Sequence, residues 1–274
     1  MTVSVRPLTP VDVPALLRIK AAAGWNQTET DWLNLLRLSP DLCFGLECDG
    51  VLAATTTAVC YQRRLAWIGM VLTDPGYRRR GFARRLLEHA IEALAARGIE
   101  WIKLDATEMG APLYRQLGFE PESAIERWEA AAGHTLRAPD LHWQHPLSAL
   151  DRQAFGADRS ELAAVLAPLG AAALADEGYA MARPGSRTAY FGPCVSRGAG
   201  TAAELLAWFL SRHAGEPVCW DLLPRNNEAA RLARANGFAP VRRLVRMVRR
   251  GRAGAAPLIH DDSLVFACAG FEYG

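Results

Sequence analysis

Val3 to Arg6 alternates apolar and polar side chains, the two-residue period of a half-buried strand. Thr9 and Asp12 then open a helical pattern with Val13, Leu16, Leu17 and Ile19 on one face, ending at Ala23-Gly24. After the polar turn Trp25-Asn26-Gln27-Thr28, a second helical pattern carries Trp32, Leu33, Leu35 and Leu36 and stops at Ser39-Pro40. Strands are predicted over Cys43 to Cys48 and Val51 to Tyr61, meeting at Asp49-Gly50, a two-residue hairpin signal. Leu65 to Leu72 is largely apolar, as suits a strand buried on both faces. Beyond Pro75-Gly76, Phe82 to Arg97 sets Leu86, Leu87, Ala90, Ile91 and Leu94 at core spacing and is stopped by Gly98. Glu100 to Asp105 predicts a strand, Pro112 to Leu117 a short helix closed by Gly118, and Ala124 to Trp128 a strand completing a first unit.

The pattern then repeats. Leu86-Leu87 recurs as Leu205-Leu206, and Gly118-Phe119 with Pro121 recurs as Gly237-Phe238 with Pro240, both at an offset of 119. Between them, Trp101 to Asp105 corresponds to Val218 to Asp221 at an offset of 116, a strand ending in aspartate in each half. A duplicated α/β fold with a mixed sheet follows: a first domain over 1–132, a linker over 133–146 and a second domain over 147–274.

Composition agrees with two packed domains. The 274 residues are 50% hydrophobic and 22% charged, which excludes a wholly disordered or fibrous chain. The 31 basic against 29 acidic residues leave +2, too little for a general nucleic-acid or membrane-surface binder. All basic residues but Lys20 and Lys103 are arginine, as a GC-rich genome would give. No run reaches the roughly 18 apolar residues of a membrane span, and Met1 to Pro7 lacks a secretory core, so a cytoplasmic protein is expected. The six cysteines form no Cys-x-x-Cys, and His142 and His145 have no acidic or cysteine partner nearby, so no metal is expected.

Candidate chemistry concentrates between Val71 and Ala83. A buried strand passes through Thr73-Asp74-Pro75-Gly76-Tyr77 into Arg78-Arg79-Arg80-Gly81-Phe82-Ala83 and a helix. Gly81 permits positive φ, Ala83 lets a ligand approach, and loop N–H groups at a helix start can hold a pyrophosphate. Arg78, Arg79, Arg80, Arg84 and Arg85 supply countercharge. Read alone, the segment also fits a solvated, arginine-rich helix entry.

This segment resembles the GCN5-related N-acetyltransferase (GNAT) superfamily, whose acetyl-CoA signature is matched by Arg78-x-x-Gly81-x-Ala83. Pro112-Leu113-Tyr114-Arg115-Gln116-Leu117-Gly118-Phe119 is similar to the second signature, and the repeat resembles a bacterial tandem-GNAT subgroup. The resemblance implies two tandem acyl-CoA N-acyltransferase folds. The first would transfer acetyl from acetyl-CoA, by direct attack, to a small-molecule primary amine. Backbone groups of Val71, Leu72 and Thr73 would bind the pantetheine arm, and residues Arg78 to Arg84, Phe82 included, the pyrophosphate. Tyr114 would protonate the departing thiolate. An alkylammonium of pKa ~10.4 must lose a proton, costing roughly 4–5 kcal/mol at pH 7, and a carboxylate is the usual helper. Leu65 to Leu72 contains none, so Asp105 is the expected base, with Glu108, Glu29 and Asp74 behind it, and Asp105 could equally orient a loop. Trp25, Asn26 and Gln27 fall where the acceptor wall is expected, or form a plain connecting turn.

The second unit is expected to be degenerate. Arg197-Gly198-Ala199-Gly200-Thr201-Ala202 nominally meets the phosphate signature, but Ala233 stands where the register would put the tyrosine. Arg242, Arg243, Arg246, Arg249 and Arg250 suggest an exposed strand of alternating charge. A mycothiol-synthase-like transferase and an acyl-CoA-sensing module remain alternatives.

Overall fold

The structure is a computed structural model describing residues 1–135, 139–143, 148–169, 171–175 and 177–274. The first half runs β1 (Val3–Pro7), α1 (Val13–Ala22), α2 (Glu29–Leu38), β2 (Cys43–Cys48), β3 (Val51–Tyr61), β4 (Leu65–Thr73), α3 (Phe82–Ala96), β5 (Trp101–Ala106), α4 (Ala111–Gln116) and β6 (Glu120–Ala130). The second runs α5 (Ser148–Phe155), α6 (Ser160–Leu166), β7 (Ala171–Ala175), β8 (Gly178–Arg183), β9 (Ala189–Ser196), α7 (Ala199–Arg212), β10 (Val218–Leu222), α8 (Asn227–Ala235), β11 (Ala239–Arg250) and β12 (Val265–Ala267). The linker expected over 133–146 falls partly on residues 136–138 and 144–146, outside the described residues.

Local chemistry explains the elements. Thr28 and Asp31 form a capping box at the start of α2, the Thr28 N–H donating to the Asp31 carboxylate at 2.7 Å. Asp49 and Gly50 both take positive φ, as the tight β2–β3 hairpin requires.

All strands join one mixed sheet in the order β1-β2-β3-β4-β5-β11-β6-β10-β9-β8-β7, with β12 attached to β9. The last strand of each half is exchanged. β11 lies between β5 and β6, with Arg246 opposite Asp105 on one side and Ser123 on the other. β6 in turn pairs with β10, Trp128 opposite Trp220. This differs from the expectation that Ala124 to Trp128 closes the first unit upon itself. The exchange gives β5 and β10 each a partner strand, so neither is left as an open edge. It also overturns the picture of the 242–250 arginines as an exposed strand: β11 is central, and Arg246 is buried.

Three apolar clusters hold the layers. On one face, α3 packs Leu86, Leu87, Ala90 and Leu94 against Ile102 and Leu104 of β5. The equivalent cluster of the second half joins α7 to Trp220 and Phe191. The opposite face is a shared core in which Trp32, Tyr61 and Trp67 of the first half meet Phe155, Tyr179 and Tyr273 of the second. Each large side chain so buried contributes about 1.5–3 kcal/mol, and this core is built by both halves.

Candidate active site

The site begins where two parallel strands part. β4 and β5 pair only at Leu65–Trp101, Ala66–Ile102 and Trp67–Lys103. Beyond that, Met70 takes φ 49°, a strained value for a non-glycine residue, and the β3–β4 register slips between Thr55 and Thr57. The Thr55 hydroxyl fixes this bulge by donating to the Met70 carbonyl at 2.7 Å. No residue of β4 after Trp67 pairs with β5, so the stretch through Val71, Leu72 and Thr73 leaves its β5-side backbone groups unpaired with that strand, the kind of edge that strand addition uses.

Residues 74–81 bridge β4 to α3 at the mouth of this cleft. Arg79 and Gly81 both take positive φ, 61° and 77°, and among the described residues no group accepts the N–H of Arg79, Arg80, Gly81 or Phe82. These donors stand at the first turn of a fifteen-residue helix, where its dipole favours an anion. Arg78, Arg79 and Arg80 are exposed, the Arg80 guanidinium 5.2 Å over the Tyr77 ring, while Arg84 and Ala83 are half-buried and Arg84 donates to the Gln116 amide oxygen. The loop thus brings together free N–H donors, a helix start and exposed guanidinium groups.

Tyr114 on α4 lies on the α3 face, edge-on to Phe119 at 6.1 Å, and among the described residues its hydroxyl has no partner. Burial pushes its phenol well above the ordinary value, so it stays protonated.

The opposite face of the cleft is lined differently from the expectation. Lys103 and Asp105 alternate with Ile102, Leu104 and Ala106 on β5 and point away from α3. Asp105 is fully buried and gripped by Arg246, which donates from Nε at 2.9 Å and Nη2 at 3.1 Å while stacking 4.5 Å over Trp67. Burial raises the Asp105 pKa and Arg246 opposes the rise. Both of its oxygens accept from Arg246. The other carboxylates considered are no nearer: Glu29 and Glu108 are exposed, and Asp74 pairs with Arg18 and caps its own turn at Gly76.

Trp25, Asn26 and Gln27 reach the second half. Asn26 accepts from the Arg187 and Thr188 N–H groups at 2.9 and 3.1 Å and donates to the Thr188 carbonyl at 2.9 Å. Gln27 donates to buried Glu272 at 2.9 Å, and Trp25 lies 5.7 Å under the Arg242 guanidinium. A cavity of about 240 Å³ opens beside Trp25 and Asn26.

One group escaped sequence reasoning. Lys103 and Glu122 meet at 2.7 Å; His260 lies 3.3 Å from Lys103 and 3.5 Å from Glu122, and its Nδ1 is 2.8 Å from Asp262. Burial pushes the Glu122 carboxyl up, but His260 and Lys103 outweigh it and hold it at about 2. These residues span 160 positions of chain, and no local motif joins them.

The second half repeats the cleft and fills it. β9 and β10 pair at three positions, ending at Phe191–Trp220, and β12 then takes the open side of β9, Val265 opposite Val195 and Ala267 opposite Cys194. Cys268 N–H donates to the Asp221 carbonyl at 2.8 Å and Trp220 Nε1 to the Phe266 carbonyl at 2.7 Å. Gly192 is required here, because a Cβ would come within 2.1 Å of the Cys268 oxygen. The nominal phosphate motif also fails in geometry: only residues 197–198 link β9 to α7, and Gly198 is extended with its N–H donating to the Ser196 hydroxyl. Ala233 is buried on α8, where a tyrosine stands on α4.

A splayed parallel pair, a loop of free N–H donors and a buried tyrosine beyond them define an acyl-CoA-type transferase. The acetyltransferase (GNAT) family matches residues 17–119, and an acetyltransferase (GNAT) domain matches residues 147–258. The chain belongs to the GNAT superfamily as a tandem of two such domains, and it is an acetyltransferase of a family that uses acetyl-CoA. It is 26% identical over 212 residues to the uncharacterized N-acetyltransferase YitH of Bacillus subtilis, covering 71% of this chain and 73% of that one. It is 34% identical over 142 residues to the [Ribosomal protein bS18]-alanine N-acetyltransferase of Salmonella typhimurium, 46% of this chain and 88% of that one. A putative acetyltransferase from Pyrococcus horikoshii shares the fold, with a TM-score of 0.82 at 20% identity over 99% of this chain and 96% of that one. No helix among the described residues is long and apolar enough to cross a membrane.

Proposed function

We propose that the first half alone carries the reaction, transferring acetyl from acetyl-CoA to a primary amine of a small molecule, while the second half serves as scaffold and acceptor-side wall. The observation behind this reading is the asymmetry of the two clefts. One is open along β4, and the other is paired shut by β12. The acceptor side of the open cleft is roofed by Glu272, whose Cα would lie 2.8 Å from a Cβ at Gly69, and by Phe155 of α5 packed on Trp67. Such a roof favours a small acceptor over a folded surface.

In this reading Val71, Leu72 and Thr73 hold the pantetheine arm by their backbone groups. The N–H donors of residues 79–82, with Arg78, Arg79, Arg80 and Arg84, hold the pyrophosphate. The acceptor enters from the face opposite α3, so that cofactor and amine meet through the gap between the strands. Tyr114 gives its proton to the thiolate as it leaves; burial raises the phenol and the nascent thiol together, which keeps the two close enough in acidity for transfer. Asp105 is assigned to positioning Arg246 across the halves. Trp25, Asn26 and Gln27 form the acceptor wall by locking the α1–α2 turn to the second half.

Tyr114→Phe tests the reading, with acetyl-CoA consumption measured across amino acids, polyamines, aminoglycosides and peptide N-termini. Acetyl-CoA binding should persist while turnover falls by about a hundredfold or more. Unchanged turnover would remove Tyr114 from the chemistry.

A further inference from the structure

Amine acetylation releases a proton, and the cleft needs a route for it. The attacking nitrogen must lose one proton to become nucleophilic and another as the new C–N bond forms and the C–S bond breaks. Tyr114 supplies one proton to the leaving sulfur and takes the nitrogen's second proton in its place, so the first, one per turnover, must reach solvent. Asp105, with both oxygens on Arg246, offers no route.

Two cavities meet at His260. The inner one, about 10 Å³, has room for a single water and is bounded by Trp67 and Lys103, the last paired residues before β4 and β5 part, and by Arg246. The outer one, about 290 Å³, opens beside Arg225 and Ser263. His260 and Asp262 line both. The imidazole is half-buried between them, with Nε2 toward Lys103 and Glu122 on the inner side and Nδ1 bonded to Asp262, which Arg225 holds at 2.7 Å. Its backbone is fixed by α5, where Gly156 meets the Ile259 carbonyl and the Asp261 N–H donates to the Gln153 carbonyl at 3.0 Å.

We propose that His260 is the proton relay of the acetyl-transfer cleft, accepting the acceptor amine's proton through a water in the inner cavity and releasing it to solvent in the outer one, with Asp262 orienting the ring. The inference rests on acetyl transfer taking place in the first half's cleft. The step balances: the nitrogen keeps the electron pair that becomes the C–N bond, the water passes the proton to Nε2, and the imidazolium gives a proton up on the Asp262 side. The charged groups around the ring and its two cavities are Lys103 from β5, Glu122 from β6, Arg246 from β11, Arg159 before α6, and Asp261, Asp262 and Arg225 at the outer pocket. Asp262 and Glu122 favour the protonated ring while burial and Lys103 oppose it, and the first two prevail. The relay is open once the ring is neutral, so kcat/KM should rise with pH through the His260 titration and then level.

His260→Gln keeps a polar side chain and cannot carry a proton. It should lower plateau kcat/KM about tenfold or more, abolish that limb of the pH profile and leave acetyl-CoA affinity unchanged. For His260→Ala, added imidazole should restore part of the rate. A Gln variant with the wild-type profile, or one lowered equally at every pH with no imidazole rescue of the Ala variant, would overturn the relay. A second measurement does not need turnover: the His260 ring is titrated by NMR with and without CoA, its signal identified by its loss in His260→Gln. A ring that senses the cleft shifts its titration on CoA binding, and an identical titration overturns the proposal. Failure of the wild-type protein to acetylate any amine, with CoA bound and the ring shifting, would instead overturn the transfer reading.

Discussion

Asp105→Asn separates a structural latch from a catalytic base. Asn keeps the shape of Asp105 and one acceptor oxygen but removes the charge opposite Arg246, whose side chain is 7% exposed and whose guanidinium lies over Trp67. Breaking a buried pair by removing one partner costs about 3–5 kcal/mol, mostly because the remaining charge is left without compensation. For a chain of this size that corresponds to a fall in Tm on the order of 10 °C. The assay is paired: urea unfolding for stability, and acetyl-CoA consumption per folded molecule for activity. The latch predicts a large stability loss with kcat within a few-fold of wild type. It also predicts that Asp105→Asn combined with Arg246→Met loses much less than the sum of the two single changes, since the two residues are in direct contact. A base predicts the reverse, unaltered stability with a loss of a hundredfold or more in kcat. That second pattern would refute the assignment of Asp105 to Arg246.

Other expectations follow from the same geometry. Calorimetry should find one acetyl-CoA per chain, since β12 holds the second cleft; two equivalent sites would contradict the strand pairing at Val195 and Cys194. Gly192→Ala should cost about 2 kcal/mol or more, because it combines φ 139° with a 2.1 Å approach to Cys268, and should leave acetyl-CoA binding in the first half intact. Despite burial, Glu122 is held at about 2 by His260 and Lys103 and Asp262 at about 2 chiefly by His260, below ordinary values of 4.5 and 3.8. The stability they contribute is complete above those ordinary values and lost as pH falls toward about 2. His260 has the opposite sign: its raised pKa adds stability below the ordinary 6.5 that is lost as pH rises through the folded value. Unfolding measured at pH 6 and pH 3 should therefore show a smaller acid loss in Glu122→Gln than in the wild type.

Periodicity carried most of the fold because it reports which face of each element is buried. The helix over Phe82 to Ala96 and the strands over 43–48, 51–61 and 65–73 were legible that way, as was the Asp49-Gly50 turn. The phosphate loop was legible because its chemistry is local: Gly81, the arginines and the helix start lie within a few residues. Strand exchange was not, because β6 reads as a strand whichever β5 or β10 it joins. The fate of Asp105 followed from the exchange, since its partner Arg246 lies 141 residues away on a strand that only the exchange brings beside β5. His260 was hidden for the same reason: its neighbours Lys103, Glu122 and Asp262 come from three separate elements, and a lone histidine in a polar loop carries no period.

The exchanged strands also give the aspartate near the end of β5 and its counterpart near the end of β10 each a partner. Arg127 of β6 donates to Asp221 of β10 at 2.7 and 2.6 Å, and Arg246 of β11 grips Asp105 of β5 in the same bidentate manner. The aspartates are 116 apart and the arginines 119 apart, the offsets of the repeat itself. Each pair joins one half to the other, which is the ground for assigning the aspartates, in the proposed reading, to the interface. What breaks the symmetry is the segment after β11. Its β12 closes the second cleft, while its next residues turn onto the first half, where the Tyr61 hydroxyl donates to the Tyr273 carbonyl at 2.5 Å and Trp67 Nε1 to the Phe271 carbonyl at 3.0 Å. One stretch of chain thereby pairs along one cleft and covers Tyr61 and Trp67 beside the other. In the proposed reading, the division of labour between two similar halves rests less on the missing tyrosine at Ala233 than on where these residues run.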